Sequence, residues 1–271
     1  MHSVTPKVFY IGHTEADNAE IRAWLDHIGA DQYVIDENAT GSELLVQLAA
    51  KRCYMSFQAG LNPNVTRVRT DMAAFIDNIL KVGHGSVLAH ASHSFAIEGV
   101  SRVFTGEMNR HAAGTAISEG SMRYIRFDDI PWVKTPILDL ANYVYGSEEF
   151  DKVLRTIELF NHAFTQMEDN YGAFCDIWKE ELADGSTFKS KKTLTSLGRR
   201  IIGMGCGTGG VWTGNLRALR HIFAMRCDEA AEEEILLVAS MMLAKMQAAE
   251  PLFFGDFELV NGYWKPKYWK V

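Results

Sequence analysis

Arg110-His111-Ala112-Ala113-Gly114-Thr115-Ala116-Ile117-Ser118-Glu119-Gly120-Ser121-Met122-Arg123-Tyr124 is the densest polar stretch of the chain. Small residues let a backbone approach a ligand closely, while arginines, hydroxyls and free N–H groups suit phosphate. The stretch reads as a loop built to hold an anion. The alternative is a solvated turn carrying two surface arginines.

Downstream, Asn215, Arg217, His221 and Arg226 fall within about three turns of one helix, close enough to share a stripe. Like charges at this spacing repel unless an anion sits between them. A ligand would supply that anion; so would pairing with Asp228, Glu229 or Glu232. Upstream, His84, His90 and His93 lie close together but match no HExxH or other ligand spacing, so no metal site is expected. Gly205-Cys206-Gly207-Thr208-Gly209-Gly210 matches GxGxxG literally. It lacks the βαβ surroundings of a dinucleotide site and reads as a flexible loop.

Around these stretches the pattern is that of one α/β domain with helices dominating. Lys7–Ile11 is strand-like, and Ile21, Trp24, Leu25 and Ile28 repeat at helical spacing between Thr14 as a cap and Gly29 as a stop. Thr40-Gly41-Ser42-Glu43 forms a capping box for the next helix. Another helix is expected over Met72 to Leu80, a strand at Ser94–Ile97, and a helix opening near Gly99–Phe104. Phe150 to Phe174 is one long amphipathic helix, to be packed on the core or on a partner subunit. A last long helix is predicted from about Asn215 to Gln247.

The 271 residues carry 27 Lys plus Arg against 34 Asp plus Glu, a net charge of −7, which argues against a nucleic-acid polymer as partner. Hydrophobic residues at 47% and charged residues at 23% are the balance of a globular protein with one substantial core. Neither a signal peptide nor a membrane-length apolar run is visible, so a cytoplasmic, non-membrane protein is expected. Four cysteines without CxxC spacing suggest neither a disulfide framework nor a zinc site.

Five blocks in order resemble the flavin-dependent thymidylate synthases. They are Ala49-Ala50-Lys51-Arg52-Cys53-Tyr54; His84-Gly85-Ser86-Val87-Leu88-Ala89-His90; Phe95-Ala96-Ile97-Glu98-Gly99-Val100-Ser101-Arg102; Arg110-His111 with Glu119-x-Ser121-x-Arg123-Tyr124; and Asn215-x-Arg217-x-Leu219-x-His221 with Arg226. The classical thymidylate synthase is excluded, since its Pro-Cys-Gln setting does not occur. The resemblance implies a single α/β domain over residues 1–271, helix-rich with a central mixed sheet, an N-terminal extension over about 1–40 and an enlarged helical segment over about 127–190. It implies a homotetramer with FAD across subunit interfaces, converting a uridylate (dUMP, UMP or both) to its 5-methyl form with methylenetetrahydrofolate and NADPH.

Residue by residue, His84, Ser86, Arg110, His111, Asn215, Arg217 and His221 match flavin-contacting positions. Glu107, Glu119, Ser121, Arg123, Arg200 and Arg226 match nucleotide-binding ones, with Ser121 a binding group and not a nucleophile. Arg226 is the expected activating residue, since a fixed guanidinium beside the uracil ring would stabilise negative charge as it builds there. The departures cluster around the same ligands. Ala112 replaces an arginine, Ala89 a glutamate and Glu107 a glutamine, and the Arg110–Ser121 loop is one residue longer than usual. Such changes resemble a branch with altered substrate choice, as in homologues that methylate UMP in nucleoside-antibiotic pathways. They also leave room for a homologue that binds flavin or nucleotide without turning it over.

Overall fold

The computed structural model describes residues 2–122, 129–183, 185 and 187–270. In chain order these form β1 (Ser3–Val4), β2 (Lys7–His13), α1 (Asn18–His27), α2 (Gly41–Tyr54), α3 (Met72–Val82), β3 (Ser92–Ser101), α4 (Arg102–Met108), β4 (Thr115–Glu119) and β5 (Trp132–Val133). Then come α5 (Glu148–Ile177), α6 (Lys179–Leu182), α7 (Phe188–Gly198), β6 (Gly207–Asn215), α8 (Leu216–Arg226), α9 (Glu233–Ala249), α10 (Pro251–Phe254), β7 (Phe257–Val260) and β8 (Tyr263–Pro266).

Local chemistry sets the helix starts. Thr40 caps α2 by accepting from Glu43 N–H at 3.1 Å, and the Glu43 carboxylate accepts from Thr40 N–H at 2.9 Å, which completes the expected capping box. Helix α1 begins at Asp17, whose carboxylate accepts from Ala19 and Glu20 N–H. The expected cap, Thr14, instead exchanges hydrogen bonds with the backbone of Ser92 and ties the N-terminal segment to β3.

The central sheet has the order β2-β3-β6-β4. Its three pairings are all antiparallel, which corrects the expected mixed sheet; among the described strands, parallel pairing is confined to the two-residue match of β1 with β5. Parallel neighbours need a long crossover, which the chain between β1 and β5 supplies. Strand β3 alternates, burying His93, Phe95 and Ile97, and with Trp212 of β6 it packs against Leu216, Leu219 and Phe223 of α8 and Val238, Met242 and Met246 of α9. Helix α5 runs unbroken through the predicted segment and leans on Trp132 through Phe160 and Phe164.

Two further expectations change. The glycine-rich stretch is not a flexible loop: Gly207 onward is β6, paired on both sides. A methyl group at Gly210 would sit 2.3 Å from the Ser118 carbonyl, so β4 reaches β6 at this register only because no side chain stands there. Gly210→Ala is therefore expected to cost at least about 2 kcal/mol in urea denaturation; an unchanged midpoint would show that β4 yields freely. The last predicted helix is two. Glu232 caps α9 by accepting from Glu234 and Ile235 N–H, and Asp228 holds the intervening turn by accepting from Ala230 N–H and pairing with Lys265. None of the four cysteines forms a disulfide among the described residues, and Cys206 and Cys227 are buried. No helix among the described residues is long and apolar enough to cross a membrane.

Candidate active site

The sheet and α8 meet at Asn215. Its side-chain oxygen accepts from Ala218 N–H at 2.9 Å, capping α8, while its own N–H donates to Gly114 O at 2.9 Å. Gly114 adopts φ +76°, and a Cβ there would lie 2.6 Å from Asn215 Nδ2, so only glycine brings this loop so close. Asn215, Arg217 and His221 then line a cavity of about 430 Å³ together with Ala89, Ala113 and Gly114.

One turn further, Arg226 is held from two sides. Its Nη1 donates to Glu107 Oε2 at 2.6 Å, and its Nε donates to His111 Nε2 at 2.9 Å. Because arginine Nε–H only donates, His111 Nε2 must accept, and the ring is neutral with its proton on Nδ1. Burial, then Arg226, His221 and Arg110, push the His111 pKa down, with Glu107 opposing. The His111 ring meets His221 edge-on with centroids 6.0 Å apart. Cavity, His221, His111, Arg226 and Glu107 thus form one continuous array. Glu107 supplies the anion that the cationic stripe required; Asp228, the alternative partner, pairs with Lys265.

Glu119 ends β4, and its Oε1 is 3.0 Å from Arg102 Nη1. Arg102 Nη2 also donates to Gly120 O, so one guanidinium anchors the backbone leading into Ser121. The role of Arg102 was not evident from its place in the motif. Its usable signal is position, since it is the first residue of a helix capped by Ser101, which orients it across to β4. Arg123 lies outside the described residues.

The remaining candidates do not join the Arg226 array. His84 stacks on Tyr54 with centroids 6.3 Å apart, and Ser86 and Arg110 are exposed. Arg200 is exposed after α7, its Nη1 donating to Ser196 O at 2.9 Å. Arg110 meets the array only through its backbone N–H, which donates to Glu107 O at 3.3 Å; among the described residues no side chain of the four makes a hydrogen bond or ion pair to Arg226, Glu107 or His111. The three neighbouring histidines diverge. His93 is fully buried, its Nδ1 bonded to Tyr10 and its Nε2 to Ser42, and burial drives its pKa down to about 4.

The model of the family described as thymidylate synthase complementing protein matches residues 34–252. The chain belongs to this family. The flavin-dependent thymidylate synthase of Corynebacterium glutamicum is 32% identical over 220 residues, 81% of each chain. That of Mycolicibacterium gilvum is 34% identical over 223 residues, 82% of each. Among solved structures, the UMP/dUMP methylase PolB from Streptomyces cacaoi bound with 5-Br dUMP has a TM-score of 0.63 at 14% identity, covering 94% of this chain and 95% of that one. The same protein bound with 5-Br UMP gives 0.62 at 16% identity. These structures share the fold, and the relatives are enzymes of the type the sequence resembles.

Proposed function

We propose that this family member methylates C5 of a uridylate, dUMP or UMP, with FAD as hydride source, methylenetetrahydrofolate as carbon donor and NADPH as reductant. The reading includes a homotetramer whose flavin sites span subunits, which accounts for His84, Ser86 and Arg200 standing apart from Arg226 within one chain. The observation that carries it is the doubly held Arg226 beside a cavity lined by Asn215, Arg217 and His221.

The cavity residues fit a flavin. Arg217 offers a cation for phosphate, Asn215 and His221 offer ring-edge partners, and Gly114 lets the backbone approach. Bound there, FAD would supply the hydride that completes the methyl group. The chain's own groups supply orientation and charge. Arg226 stabilises electron density gathering on the uracil ring, and Glu107 and His111 fix the plane of its guanidinium before substrate arrives. Neutral His111 adds no second cation to that face. Glu119, Ser121, Arg123 and Arg200 hold the nucleotide.

Glu107 also bears on substrate choice. Its Oε2 is taken by Arg226, and its Oε1 has no partner among the described residues, so it is available to accept from a ribose 2′-hydroxyl. Purified enzyme supplied with FAD, methylenetetrahydrofolate and NADPH is expected to form 5-methyl product from both nucleotides, with UMP turned over at least as well as dUMP. A ratio strongly favouring dUMP removes the role for Glu107. Product from neither nucleotide, with bound flavin that NADPH never reduces, leaves only a binding protein.

A further inference from the structure

A second cavity, of about 590 Å³, lies between the C-terminal turn of α2, the 64–69 segment and α3. It shares no lining residue with the cavity at Asn215. Lys51, Arg67 and Arg69 line it together with Ser56, Asn64 and Thr66, and no carboxylate is among its lining residues. In a chain of net charge −7, three cations and three hydrogen-bonding side chains around one unacidic hollow form a concentrated positive field.

Lys51 is the unusual member. It is 2% exposed, yet its Nζ donates only to the carbonyls of Arg69 at 3.0 Å and Ser56 at 3.5 Å and lies over the faces of Tyr33 and Phe75. Among the described residues no carboxylate pairs with it, nor with Arg67 or Arg69. Burial accordingly depresses the Lys51 pKa to about 8. Buried charges are ordinarily paired or neutralised. Pinning the 56–69 backbone would explain the two carbonyl contacts, but not the arginines gathered at the same opening. Tyr54, which stacks on His84, lines this cavity too, so it borders residues assigned to the flavin.

We infer that this cavity is a second anion site, which takes the multiply charged end of a small molecule, a phosphate ester or a run of carboxylates, on Lys51, Arg67 and Arg69. The shared chemistry is two or more negative charges presented to a buried ammonium and two guanidinium forks. The inference does not depend on C5-methylation.

The test uses flavin-loaded protein saturated with dUMP, so that the Arg226 cleft is filled. Inorganic pyrophosphate and a tri-γ-glutamate peptide are titrated separately at constant ionic strength while the thermal midpoint is followed. One probe is expected to raise the midpoint saturably, as a ligand bound only by the folded state does. Which of the two does so identifies the source of the anion. The Arg67→Gln/Arg69→Gln double variant, altered only at exposed positions, is expected to lose about tenfold or more in affinity for that probe. Lys51→Met, which keeps the apolar stem, is expected to lose binding without losing the fold; if it does not fold, the double variant decides. No saturable shift with either probe, or equal affinity in the double variant, overturns the site. Protein that purifies without flavin but still binds a probe through Arg67 and Arg69 keeps this site and loses the flavin reading.

Discussion

Replacing Arg226 by alanine lowers kcat/KM by about two to three orders of magnitude and leaves the bound flavin in place. A pre-oriented donor aimed at developing charge is worth that much when removed, and Arg226 is oriented twice, by Glu107 at 2.6 Å and His111 at 2.9 Å. Flavin retention follows from the separation of roles along α8. Arg217 and His221 line the cavity, while Arg226 is bound to α4 and its following loop. Arg226→Lys is not expected to restore activity, because one ammonium cannot reproduce a planar fork bonded to a carboxylate and an imidazole together. Flavin absorbance and steady-state kinetics on the same preparation check both statements. Parallel loss of flavin and turnover would move Arg226 out of the activating role and into cofactor binding.

The largest effect on stability is expected nearly two turns earlier, on another face of α8. Arg220 is 3% exposed and meets Asp256 through both nitrogens, at 2.6 and 2.9 Å. It also donates to the carbonyls of Phe253 and Tyr268 and lies over the Phe257 ring. This side chain fastens the site helix to α10, β7 and the C-terminal residues. Arg220→Ala leaves Asp256 unpaired and two carbonyls without donors, and breaking one partner of a buried pair costs about 3–5 kcal/mol. Urea denaturation at a single protein concentration measures it. Arg220→Ala/Asp256→Ala is expected to lose less than the sum of the single changes, because it removes the orphaned carboxylate. A loss below about 1 kcal/mol for Arg220→Ala would mean that α8 is held by its apolar face alone.

Sequence and structure agree where chemistry is local and diverge where it is long-range. The Thr40–Glu43 box, the strand at Lys7–His13 and the long helix at Glu148–Ile177 depend on neighbours a few residues apart, and each is legible as pattern. The start of β6 is not, because three of the four residues Gly207–Gly210 are glycine, which marks no strand; at Gly210 its reason is the close approach of β4. Nor is the break between α8 and α9, where neither Gly nor Pro interrupts residues 227–232 and the capping carboxylate of Glu232 starts the second helix. In the site, spacing alone brings Asn215, Arg217, His221 and Arg226 to one helix but not to one face: Arg217 and His221 line the cavity, while Arg226 turns to α4. The partners that give it meaning, Glu107 and His111, come from another element more than a hundred residues away. The roles of Arg102 and Lys51 are not legible for the same reason: Arg102 meets Glu119 and the Gly120 carbonyl, and Lys51 meets backbone carbonyls, partners that no sequence pattern advertises.

The central claim is that the Arg226 array prepares a uridylate for carbon transfer to C5. Its most direct test is a single anaerobic turnover with pre-reduced flavin, methylenetetrahydrofolate and either dUMP or UMP, followed by mass analysis of the recovered nucleotide. The account predicts a nucleotide heavier by one methylene group, with the carbon on C5 and the flavin reoxidised in step. Recovery of unmodified nucleotide from wild-type enzyme, with the flavin still reduced, would contradict it.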